Sequence, residues 1–134
     1  MKNRVYAALL LLGISAYAQG AVDSGPKDMT YTGPVTNSVE VCMIKRTVQP
    51  HTSYVYDYQG KTYHFCCTMC LSKFKSDPDH MKMAIDPING KPVDKASALI
   101  YAYKGRAYFF SSIRTLSKFS KRPKKYLTKE NTPS

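Results

Sequence analysis

Tyr54, Tyr56 and Tyr58 alternate with Val55 and Asp57, a period of two that predicts a half-buried strand. Gln59-Gly60 supplies a turn, and Lys61 to Phe65 returns as a second, aromatic-rich strand. The period then changes. From Cys67 to Lys75, Cys70, Leu71 and Phe74 fall on one face of a short helix, which Asp77-Pro78 ends. The same order recurs downstream, with a hairpin around Lys104-Gly105 and a helix over Ser112 to Lys121. Ile113, Leu116 and Phe119 lie at three-residue spacing on that helix.

The recurrence is in register. Tyr56 to Phe65 aligns with Tyr101 to Phe110 at a constant offset of 45 (60 to 105, 63 to 108, 65 to 110). It continues through Leu71-Ser72-Lys73-Phe74 against Leu116-Ser117-Lys118-Phe119, and Pro78 against Pro123. This is an internal duplication. One unit of about 40 residues buries too little apolar surface to stand without a staple, whereas two packed together, or one clipped by a metal, can. The expected fold is α+β. Two small units of β-hairpin plus helix meet in pseudo-symmetric contact, with their aromatic strand faces buried between them.

The flanks read differently. Lys2 and Arg4 precede an apolar run from Val5 to Ile14, and Ser15-Ala16-Tyr17-Ala18 has the small-x-small pattern of a signal-peptide cleavage site. The run is shorter than the roughly 20 residues a membrane-spanning helix needs. Residues 1–18 are therefore expected to be a signal peptide cleaved near Ala18, giving a secreted or periplasmic protein. Residues 19–40, with two Gly-Pro pairs, read as a linker, 41–84 and 85–127 as the two repeats, and 128–134 as a tail.

The chain carries 20 Lys and Arg against 9 Asp and Glu. Lys118, Lys121, Arg122, Lys124, Lys125 and Lys129 gather late, as a solvated face or a contact for an acidic protein or an anionic membrane surface. Export argues against a nucleic-acid partner. No nucleophile is paired with a base, no carboxylates pair in a plausible cleft and no phosphate loop is present, so no catalytic residues are expected.

All four cysteines, Cys42, Cys66, Cys67 and Cys70, fall in the first repeat. A helix N-terminus favours the thiolate, and soft thiolates select Cu(I) or Zn(II) over hard cations. Cys66 and Cys70 lie one helical turn apart if the helix starts at Cys66, and the hairpin can fold back to bring Cys42 to them. Cys67, leaving a strand beside Cys66, points elsewhere or serves as a fourth ligand. Met43, Met69, Met81 and Met83 surround these positions, either as soft thioethers or as core filler. Two other readings stay open. Cys67-Thr68-Met69-Cys70 has the Cys-x-x-Cys form of a thiol-redox motif, and in an oxidising compartment the cysteines could staple an adaptor as disulfides.

These residues resemble the YHS domain and the related TRASH domain of heavy-metal trafficking, resistance and sensing. That pattern has a cysteine knuckle, a Tyr-x-Gly-x-x-Tyr-x-Phe-Cys-x3-Cys core, a following Phe and then Asp-Pro. Tyr58, Gly60, Tyr63, Phe65, Cys66, Cys70, Phe74, Asp77 and Pro78 match it, with Cys42 at the knuckle. The second repeat opens with Asp86-Pro87-Ile88-Asn89-Gly90, but its cysteine positions read Asn89, Ser111 and Thr115. The resemblance implies treble-clef-like metal modules in tandem, whose second copy has kept the fold and lost the ligands, and it does not imply an enzyme. Cys42, Cys66 and Cys70 are the expected ligands, with Cys67 or His64 as a possible fourth. Three thiolates suit Cu(I), whereas Zn(II) usually takes four ligands.

Overall fold

A computed structural model describes residues 27–127. The expected signal peptide, residues 19–26 of the expected linker and the tail from Thr128 lie outside the described residues. Among the described residues no helix is long and apolar enough to cross a membrane.

The chain opens with β1 (Gly33–Val35) and a 3-10 turn (Ser38–Glu40). A knuckle of β2 (Val41–Cys42) and β3 (Thr47–Val48) follows. The first hairpin is β4 (Tyr54–Tyr58) and β5 (Lys61–Phe65), followed by α1 (Thr68–Ser76) and α2 (Pro78–Met81). The second copy repeats this order: a knuckle of β6 (Met83–Ile85) and β7 (Pro92–Asp94), a hairpin of β8 (Leu99–Tyr103) and β9 (Arg106–Phe110), then α3 (Ile113–Lys121) and α4 (Pro123–Tyr126). The fold is α+β.

Both hairpins close through two residues with positive φ, Gln59 (51°) and Gly60 (74°) or Lys104 (50°) and Gly105 (76°). That geometry matches the right-handed twist of the strands it joins. Pro78 and Pro123 each sit in the first turn of the short helix that follows the long one.

The aromatic faces do not meet between the repeats as expected. Each packs on its own helix. Phe74 of α1 lies 4.7 Å from the Tyr63 ring, 5.1 Å from Phe65 and 6.1 Å from Tyr56, centroid to centroid. At the offset of 45, Phe119 of α3 lies 5.1 Å from Tyr108, 5.1 Å from Phe110 and 5.9 Å from Tyr101. The cause is the short reach from strand to helix, which folds each helix back on the nearest aromatic surface.

The repeats are joined instead by β-pairing. One antiparallel sheet runs β1-β8-β9-β3-β2, so the second hairpin lies at its centre, flanked by strands from the N-terminal half. The expected linker thus contributes β1 to this sheet. The other faces of the two hairpins explain the asymmetry. Ile100, Ala102, Ala107 and Phe109 are apolar and pack with Val35, Val41, Val48 and Val93. Their counterparts at the offset of 45 are Val55, Asp57, Thr62 and His64, a more polar face that is exposed or half-buried.

A buried cation also clasps the two halves. Lys95, 7% exposed, donates from Nζ to the Met43 carbonyl (2.9 Å) and the Met81 carbonyl (2.8 Å). Burial, with Arg46 nearby, pulls its pKa down to about 8. Asp94 of β7 accepts from the Tyr63 hydroxyl (2.9 Å) and pairs with Lys61 (2.9 Å).

Candidate metal centre

Cys42 ends β2, where the chain turns back tightly: the Arg46 amide donates to the Cys42 carbonyl at 2.7 Å, with Arg46 at φ 55°. The Met43 amide donates to the His64 carbonyl at 2.9 Å, tying the knuckle to the end of β5. Cys66 follows β5 directly. Cys70 sits in the first turn of α1 on the buried face it shares with Phe74. The helix begins at Thr68, so Cys66 precedes it. A bend between β5 and α1 accomplishes what a continuous helix was expected to do.

The sulfurs of Cys42, Cys66 and Cys70 all lie within 4.8 Å of one another, and Cys66 and Cys70 are 3.8 Å apart. Metal–thiolate bonds of about 2.3 Å place sulfurs about 3.8 Å apart in a tetrahedral site and about 4.0 Å apart in a trigonal one. The spacing fits either geometry. Cys42 is fully buried and Cys70 is 4% exposed, while Cys66 is half-buried. All four cysteines are free thiols.

Electrostatics divides the cluster. Burial opposes ionisation of Cys42, but the amides of Lys45, Cys66 and Ile44, with the Cys66 thiol, hold its pKa below the ordinary thiol value. Burial and the neighbouring Cys42 push Cys66 up. Burial and the Cys67 and Cys42 sulfurs push Cys70 up. Of the three, Cys42 is the thiol most readily ionised, and loading a three-thiolate metal expels the protons the thiols still hold.

Cys67 lies outside the 4.8 Å group, although its thiol donates to the Cys70 sulfur at 3.5 Å. His64 does not join the group either. It projects on the outer hairpin face opposite Val55, its Nδ1 has no hydrogen-bond partner, and burial and His51 lower its pKa. Strand alternation explains this placement, since Tyr63 and Phe65 take the side facing the helix. Met43 and Met81 pack in the apolar cluster around the thiols, whereas Met69 is 80% exposed.

In the second copy the corresponding positions also converge, on oxygen and nitrogen instead of sulfur. Asn89 Nδ2 donates to Ser111 Oγ at 3.0 Å. Fully buried Asp86 accepts at Oδ2 from the Ser111 amide (2.9 Å), the Ser111 hydroxyl (2.9 Å) and the Thr115 hydroxyl (2.7 Å), and at Oδ1 from the Ile88 amide (2.8 Å). A hydrogen-bonded carboxylate thus knits the knuckle to the hairpin–helix junction. Sequence reading placed Asp86 only in the family's opening motif and gave Lys95 no role. Their importance depends on burial, which no short motif encodes.

The YHS domain matches the chain twice, over residues 42–82 and 84–130, and the protein belongs to this family as a tandem pair. Metal binding is the property attributed to YHS domains, and the thiol cluster lies within the first match. No curated protein and no solved structure matches the chain.

Proposed function

We propose that the protein is an exported, periplasmic metal-binding protein that holds a thiophilic metal through Cys42, Cys66 and Cys70 for trafficking, resistance or sensing. Cu(I) is favoured and Zn(II) is second. The observation that carries this reading is the convergence of three sulfurs within 4.8 Å, two of them buried, with Cys42 held toward its thiolate. Export rests on the Lys2, Arg4 and Val5–Ile14 pattern, and binding without catalysis on the lack of an acid–base pair in the sequence. Lys118, Lys121, Arg122, Lys124 and Lys125 are exposed around α3 and α4, a basic surface suited to an acidic protein or an anionic membrane.

The test is elemental analysis beside thiol titration on one sample of protein isolated under reducing conditions. One equivalent of copper or zinc is expected in the wild type, and metal at background in Cys42→Ser, Cys66→Ser and Cys70→Ser. A metal-free protein with fewer than four titratable thiols would replace this reading with a disulfide-stapled adaptor.

A further inference from the structure

Cys67 and Ser112 occupy the same place in the two copies, at the offset of 45, and the same backbone conformation. Each precedes the first residue of its long helix, with φ −156° and ψ 167° at Cys67 and φ −153° and ψ 161° at Ser112. Ser112 caps its helix, its hydroxyl accepting from the Thr115 amide at 3.3 Å. The Cys67 sulfur makes no hydrogen bond of capping geometry, although the Cys70 amide lies near enough to lower its pKa. Serine is among the preferred residues at this position. The copy with the thiol cluster sets a fourth sulfur there, 3.5 Å from Cys70 and partly exposed to the same degree as Cys66, where Cys42 and Cys70 are buried. Exposed Met69 adds a soft thioether on the same turn.

We propose that Cys67 is an exchange thiol, which receives the metal from outside carriers and passes it to and from the Cys42–Cys66–Cys70 site without being a resident ligand. The inference rests on that metal-site reading. On release, a metal–sulfur bond to Cys67 forms as the bond to Cys70 breaks. The proton Cys67 gives up passes along its existing hydrogen bond to the departing Cys70 sulfur. Loading runs the same exchange backwards, and no electron is transferred in either direction. Sulfur exchange at a soft metal is associative and limited by access, which the two buried thiols lack.

The test uses the full chain loaded with one equivalent of Cu(I) without oxygen and challenged with bathocuproine disulfonate, following chelator absorbance by stopped flow. Wild type, Cys67→Ser and Cys67→Ala are compared for transfer rate, equilibrium affinity and thermal midpoint of the metal-free form. Both variants should transfer at least about tenfold more slowly, with affinity within about threefold of wild type. Cys67→Ser should melt no lower than wild type, since it restores the sister copy's cap. Unchanged rates in both variants would overturn the exchange role. So would slowing in the serine variant alone, which would trace to the cap. Loss of metal from the variants would make Cys67 a resident ligand. Failure of the wild type to bind Cu(I) would remove copper as the cargo and this inference with it.

Discussion

Replacing Asp86 by asparagine keeps its shape and removes its charge. The Asp86 carboxylate is fully buried and accepts four hydrogen bonds at 2.7–2.9 Å. The amide can keep an oxygen toward the Ile88 N–H. Its NH2 then faces the three donors that converge on Oδ2. The Ser111 and Thr115 hydroxyls can rotate to accept, Thr115 turning its proton toward the Ser112 carbonyl at 3.0 Å. The Ser111 N–H cannot invert, so one charge-assisted bond becomes a donor–donor contact. Such bonds contribute about 1.5–3 kcal/mol, and relief from burying a charge offsets part of the loss, leaving a net cost of about 2 kcal/mol. For a domain of this size that corresponds to a fall of about 10 °C in thermal midpoint.

The pH dependence supplies an independent check. Burial opposes the charge on Asp86, but the four donors outweigh it and hold the carboxyl below its ordinary value of 3.8. Its stabilisation is therefore fully present above pH 3.8 and is lost as pH falls through the folded-state value. Melts followed by circular dichroism from about pH 7 to about pH 2.5 should show the gap between wild type and Asp86→Asn narrowing only in the acid range. Metal per folded molecule should stay unchanged at neutral pH, because the thiols lie in the other copy. Equal midpoints at neutral pH, or a gap that persists in acid, would refute the argument.

The two turn glycines should respond unequally. A methyl at Gly60 meets nothing within 4 Å, so Gly60→Ala should cost only its left-handed backbone, about 1–2 kcal/mol. A methyl at Gly105 collides with the Met29 carbonyl, so Gly105→Ala should displace the segment leading into β1 and cost several times more, read as urea midpoints. Lys95→Met keeps the stem but strips the donor from two carbonyls. It should cost about 2–4 kcal/mol and weaken metal retention, because Met43 adjoins Cys42; unchanged denaturation would reject the clasp.

The local elements were legible in the sequence because their signals are local. The alternation of Tyr54 to Tyr58, the Gln59-Gly60 and Lys104-Gly105 turns, and the apolar spacing around Phe74 and Phe119 placed both hairpins and both long helices. The offset of 45 made the second copy readable from the first. Cys42, Cys66 and Cys70 could be grouped from spacing and motif, although the bend that lets Cys66 and Cys70 meet before the helix begins was not readable.

Tertiary structure decided which copy lies at the centre. Ile100, Ala102, Ala107 and Phe109 against Val55, Asp57, Thr62 and His64 is visible as a substitution pattern. Its consequence depends on what is available to cover the apolar face. The cover comes from Val35, Val41, Val48 and Val93, four residues scattered over nearly half the chain. The roles of Asp86 and Lys95 were hidden for the same reason. A charged residue in a short motif looks solvated, and only long-range packing removes it from water and turns its hydrogen bonds into the joints of the fold.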